Sequence, residues 1–182
     1  MHTRLYHILI CCLIAGSLAS VGFCVLGRRE RLIAAYATSL HGRTASQIAN
    51  ARRAAQAMDG TVILPGKQFS FTKATGPWTV DRGYRKAPVS YDGELVRSFG
   101  GGVCQTSSTL YCAALAAGLQ IIERHRHTWP AKYVPPGGDA AVAPHGIDLR
   151  LANPYPFAVR LSAIVQGEKL VCGVGELRRP QD

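Results

Sequence analysis

The stretch "SFGGGVCQTSSTLYCAALAAGL", residues 98–119, sets three consecutive glycines against an alanine-rich run that reads as a helix from Gln105 to about Leu119, stopped near Gly118. Its Ala and Leu positions lie all round the circumference rather than along one stripe, so the helix offers water no face and has to be enclosed by the rest of the chain. No other feature constrains the fold as much. A chain of 182 residues can enclose one such helix in a single domain, and is too short for two domains of ordinary size once its N-terminus is set aside.

The material available for that enclosure is mostly strand. Before the glycines, "TASQIANARRAAQAMDG" reads as one more helix: Thr44 and Gln47 have capping-box spacing, Ile48, Ala51, Ala55 and Met58 share a face, and Gly60 ends it. "TVILPGKQFSF" and "GPWTVDRGYRKAPVSYDGELVRSF" then alternate short apolar runs with Gly, Pro and Asp-Gly signals, the pattern of short strands and turns. Beyond the second helix, "LQIIERHRHTWPAKYVPP", "GIDLRLANPYPFAVRLSAIVQG" and "EKLVCGVGEL" are strand-like and divided by Pro and Gly clusters. The expected class is α+β, a central buried helix packed on an antiparallel sheet. With 47% hydrophobic and 18% charged residues, the composition excludes wholesale disorder.

The N-terminus has a different character. After Arg4, residues 8–27 run without a charge, long enough to cross a bilayer, and "GSLAS" supplies the small residues of a signal-peptidase site. Residues 1–27 are therefore expected to be a signal anchor or signal peptide, 28–42 a juxtamembrane linker with some helix, and 43–178 the domain. The expectation is a membrane protein with its domain outside the cytoplasm, or a secreted one if the segment is cleaved. Arg28, Arg29 and Arg31 argue against that orientation, because such clusters are retained on the cytoplasmic side. The net charge of +10 suits a nucleic acid, an anionic membrane or an acidic wall polymer. Since the basic residues are scattered and no nucleic-acid motif occurs, nucleic acid is not an expected partner.

Cys11, Cys12 and Cys24 fall in the apolar segment, leaving Cys104, Cys112 and Cys172 for the domain. Three cannot all pair internally, although a Cys112–Cys172 bridge is conceivable. Cys104 is the one with a chemical context. A glycine run entering a helix permits positive φ angles, so that backbone N–H groups at Gly101 and Gly102 can converge on an anion. A cysteine on the first turn feels the positive end of the helix dipole, which favours its thiolate as a nucleophile. Its plainer reading is a small buried side chain beside a tight turn. A thiolate of this kind needs a base and an acceptor to orient that base. His127, with His125 on the same strand face, supplies the first; Asp148, and less favoured Asp139, supplies the second. Gln105 or nearby backbone N–H groups are candidates for the oxyanion hole, and Asn153 could orient a base or brace a turn. Cys, His and Asp in this order, with the cysteine on a central helix, is the layout of papain and transglutaminase-like folds. Zinc on His125 and His127 with Cys104 or Cys112 lacks a second spaced ligand pair, so neither metal nor cofactor is expected.

In order, the chain shows "MDGTVILPGKQFSF", "DRGYRKAPV", "SFGGGVCQTSSTLYCAALAAGLQIIERHRHTWPAKYVPPGGDAAV" and "GIDLRLANPYPFAVRL". In these motifs, from about Arg43 to Gly175, it resembles the VanW-like family, associated with B-type vancomycin resistance. The resemblance implies a bacterial cell-envelope protein and no settled biochemical activity; Cys104, Gln105, His127, Asp139, Asp148 and Asn153 match motif positions, whereas His125 and His145 depart from them. Members often carry further extracytoplasmic domains, which are not expected here. Two functions are then in competition. One is a thiol-dependent hydrolase or transpeptidase acting on peptidoglycan peptides through Cys104, His127 and an aspartate. The other is a non-catalytic module that holds a wall peptide or carboxylate at the glycine nest, with Trp78 and Trp129 along its groove.

Overall fold

Thr44 starts the first helix in the way its spacing predicts. Its side chain accepts from the Gln47 N–H, the Gln47 side chain accepts from the Thr44 N–H, and helix α1 (Ala45–Met58) follows. The computed structural model describes residues 30–91, 94–144 and 146–178. Around α1 the chain forms β1 (Glu30–Ser39), β2 (Val62–Ile63), β3 (Gln68–Ser70), the short α2 (Phe71–Thr75), β4 (Lys86–Tyr91) and β5 (Glu94–Phe99). The second half contributes α3 (Val103–Ala116), β6 (Gln120–Glu123), β7 (Arg150–Ala152), β8 (Val159–Gln166) and β9 (Lys169–Leu177).

All pairings are antiparallel. A four-stranded sheet has the order β1-β9-β8-β2, a three-stranded one the order β3-β7-β6, and β4 and β5 form a hairpin. This is a mixed fold with antiparallel sheets and few helices, as the apolar patterning implies. α3 packs against β1, β9 and α1, with Leu110, Ala113 and Ala114 fully enclosed. Burying a leucine of this kind contributes roughly 1.5–3 kcal/mol.

One expectation changes. Residues 30–39, read as part of a linker with some helix, form strand β1, registered on β9 from Glu30 opposite Leu177 to Ser39 opposite Lys169. Their alanines favour helix in isolation, but the ladder to β9 overrides that preference. Residues 30–39, ahead of the expected boundary at 43, thus share the sheet of β9, β8 and β2. The hydroxyl-rich turn of α3 is also buried: Thr106 donates to Ala51 O, Thr109 pairs with Thr38, and Ser107 donates to Ala140 O. A core helix can hold these groups because each is hydrogen-bonded. The apolar run 8–27 lies outside the described residues, and among those no helix is long and apolar enough to cross a membrane.

Candidate active site

The glycines bring Cys104 to the start of α3 by close packing. Gly102 is the N-cap, with φ +102°, and a Cβ on it would overlap the Gln47 carbonyl of α1. On Gly101 a Cβ would stand 2.6 Å from Pro88 O of β4. Two of the first amides of α3 turn inward, Val103 N–H to Gly100 O (2.9 Å) and Gln105 N–H to Gly102 O (3.2 Å). The Cys104 N–H between them has no acceptor among the described residues. Half-buried, the Cys104 sulfur donates to Val142 O at 3.3 Å and lines a cleft of about 690 Å³. Gly101 and Gly102 line the same cleft.

His127 lines the same cleft. Its pKa is raised, first by interaction with the Cys104 side chain; burial opposes this, and the Asp139 carboxylate adds to it. Asp139 Oδ2 accepts from both the backbone N–H of His127 (2.7 Å) and its Nδ1 (2.9 Å). Because a carboxylate only accepts, Nδ1 is the protonated nitrogen, and Nε2 has no partner among the described residues. Burial alone would raise the Asp139 carboxyl, but the His127 backbone N–H, the His127 ring and the Arg124 guanidinium outweigh it and hold it below the ordinary range. Arg124 fixes this aspartate from the other side, donating to Oδ1 (2.9 Å), to Asp139 O (2.7 Å) and to Gly137 O (3.0 Å).

Other candidates lie elsewhere. Asp148, expected to orient the histidine, instead accepts from the Ser70 hydroxyl and from the N–H groups of Thr72 (2.8 Å) and Leu149 (2.8 Å). It braces the start of α2 because the pairing of β7 with β3 carries it there. Gln105 lines the cleft as well, but its Nε2 is engaged: it donates to Thr38 Oγ1 (3.1 Å) and Ser39 O (2.7 Å), tying α3 to β1. Asn153 braces a turn, donating to Ile63 O and Phe157 O and accepting from Tyr155 N–H. His125 lines the cleft but turns to Glu123 (2.9 Å), so the two histidines do not converge on one ligand. Among the described residues no cluster of three or more His, Cys, Asp or Glu could hold a metal. Cys112 and Cys172 are unbridged: the first donates to Gly138 O (3.2 Å), the second is buried in β9. His145 lies outside the described residues.

The glycines, Cys104, His127 and Asp139 all fall inside residues 46–174, the stretch matched by the family model of VanW like protein. The chain belongs to the VanW-like family. It is 40% identical over 136 residues to the uncharacterized protein YoaR of Bacillus subtilis, covering 75% of this chain and 45% of that protein. It is 29% identical over 143 residues to the vancomycin B-type resistance protein VanW of Enterococcus faecalis, covering 75% of this chain and 51% of that one. The chain thus spans about half the length of the curated relatives it matches. No solved structure matches it.

Three residues of this VanW-like site escaped the sequence reading. Tyr133 lines the cleft with Cys104: its hydroxyl is 3.5 Å from Ser108 Oγ, and its pKa is raised, chiefly by burial, against Ser108 and Arg43. Arg124, next to His125, had no role assigned. Arg43 lies over the Tyr133 ring, 4.9 Å from its centroid. Tyr133 stands in the "YVPPGG" run between His127 and Asp139, and that position was the one available signal.

Proposed function

We propose that this VanW-like domain is a thiol enzyme of the bacterial cell envelope that transfers or hydrolyses acyl groups of peptidoglycan peptides. Cys104 is the nucleophile, His127 the general base and Asp139 the acceptor that fixes the imidazole. One observation carries the reading: the His127 imidazole, held through Nδ1 by the Asp139 carboxylate, lines the same cleft as the Cys104 sulfur, which supports the order nucleophile, base, orienter. The vancomycin-resistance name of one relative and the apolar run 8–27 support a place outside the cytoplasmic membrane. The cysteine at the head of a helix, followed by histidine and aspartate, also agrees with a papain or transglutaminase-like ancestry.

In this mechanism Nε2 of His127 takes the thiol proton, and the thiolate attacks the peptide carbonyl. A C–S bond forms as the π pair moves to oxygen, where the Cys104 N–H and the Tyr133 hydroxyl are the donors at hand. Collapse breaks the C–N bond, and the leaving amine takes the proton from the imidazolium. Water or a second amine then attacks the thioester, His127 accepting its proton and returning one to the sulfur.

The test is labelling of the native protein with an electrophilic thiol probe at neutral pH. Wild type and Cys112→Ser react at residue 104, whereas Cys104→Ser does not and loses any activity on wall peptides followed by mass spectrometry. A Cys104 inert to such probes sinks the enzyme. The second reading, a carboxylate-binding module, draws on the cations Arg43, Arg126 and Lys132 that line the cleft. It predicts unchanged ligand binding in Cys104→Ala, and it leaves the pairing of His127 with Asp139 without a task.

A further inference from the structure

Arg43 carries a charge into the cleft without a partner for it. Among the described residues its guanidinium has no carboxylate and no hydrogen-bond acceptor, unlike Arg124 on Asp139 or Arg31 on Glu176. It is half-buried just ahead of α1, lies over the Tyr133 ring, and lines the same cleft as Cys104 and His127. An arginine has five donors in one plane, so lying over a ring restricts the side chain while leaving those N–H edges free. One tyrosine ring separates this fork from the hydroxyl that meets Ser108, a turn along α3 from the nucleophile. The remaining charged residues of the lining are Arg126 and Lys132, and no described lining residue is acidic. A positive cleft with one preorganised, unsatisfied fork in the same lining as the reacting sulfur is complementary to a carboxylate.

We propose that Arg43 is a specificity-determining residue of the Cys104 site, pairing with a carboxylate that the acyl donor carries close to its scissile carbonyl. The assignment rests on Cys104 being the nucleophile, and the experiment separates the two. Iodoacetate and iodoacetamide both alkylate a thiolate with loss of iodide, and differ in a carboxylate against a neutral amide. Their rate constants at Cys104 are measured by peptide mass spectrometry in a Cys112→Ser background. In Arg43→Gln the ratio of iodoacetate to iodoacetamide rates falls about tenfold, the worth of one charge-assisted hydrogen bond. Arg43→Lys, which keeps the charge and loses the fork, recovers part of it. Arg126→Gln and Lys132→Gln, exposed at the rim, lower the ratio by about twofold at most. An unchanged ratio in Arg43→Gln, with Cys104 still reactive, overturns the Arg43 assignment and spares the nucleophile. Failure of both reagents to alkylate Cys104 in the wild type removes the nucleophile and this assignment together.

Discussion

Replacing Asp139 by Asn keeps the shape of the side chain and removes its charge, which isolates what the carboxylate contributes. Three donors converge on it: the His127 N–H at 2.7 Å and Nδ1 at 2.9 Å on one oxygen, and Arg124 Nη2 at 2.9 Å on the other. An asparagine has one oxygen, so either both His127 donors or the arginine must face its NH2 group. A hydrogen bond to a charged group contributes about 1.5–3 kcal/mol, and one orphaned buried donor costs a similar amount. With one side lost and the other weakened, Asp139→Asn should lower the unfolding free energy by about 2–4 kcal/mol at neutral pH. The pH dependence has a definite sign. The Asp139 carboxyl is held below its ordinary value, so its contribution is present above about pH 4 and lost as pH falls through the lower folded value. His127 is held above its ordinary value, so its contribution is complete below about pH 6.5 and lost as pH rises through the folded value. The variant removes part of what raises His127. The stability gap between wild type and variant should therefore be widest between about pH 5 and 6.5 and narrow on both sides. Urea unfolding followed by tryptophan fluorescence at pH 3, 5.5 and 9 measures it. A gap below about 0.5 kcal/mol throughout, or one that widens above pH 7, would refute the reasoning.

Gly102→Ala forces a side chain into φ +102° and against the Gln47 carbonyl of α1. The left-handed conformation and the overlap together should cost about 2–5 kcal/mol, read as a large fall in melting temperature. A variant that melts with the wild type would mean that the helix start can shift. Asp148→Asn should destabilise by about 1–3 kcal/mol, because it weakens the acceptor of Ser70, Thr72 and Leu149, yet leave the NMR titration of His127 in place. A downward move of His127 to match that in Asp139→Asn would make Asp148 the orienting group after all.

Much of this site was legible because its signals are local. The capping box at Thr44, the stop at Gly118, and a cysteine following glycines at a helix start are all written in neighbouring residues. The choice of aspartate was not. Asp139 and Asp148 both follow His127 in chain order and both sit by turns, and only the pairing of β7 with β3 takes Asp148 away to Ser70. β1 was hidden by its alanines, whose partners on β9 are more than 120 residues distant. Arg43 and Tyr133 meet across a similar kind of separation, which leaves no periodic trace in either segment. Gln105 follows from helix geometry: one residue on a helix turns about 100°, so the neighbour of Cys104 carries its Nε2 to Thr38 and Ser39 of β1 while still bordering the cleft.

The same periodicity accounts for polar residues in the middle of the core helix. Positions 107 and 108 lie three and four residues beyond Cys104 and share its face of α3. Ser107 donates to Ala140 O at 2.6 Å, and Ser108 accepts from the Ala140 N–H at 2.9 Å while donating to Cys104 O at 2.7 Å. The residue they hold adjoins Asp139, and Asp139 holds His127. One helix therefore carries the sulfur and, a turn later, the hydroxyls that locate Ala140 and with it the carboxylate on His127. Apolar residues at 107 and 108 would leave the N–H and C=O of buried Ala140 unpaired, at about 1–3 kcal/mol each. They would also loosen the 137–141 loop on the helix, leaving Cys112 on Gly138 O to hold it. The buried hydroxyls thus keep the spacing between Cys104 and Asp139 fixed, which a purely hydrocarbon contact, being non-directional, would not do.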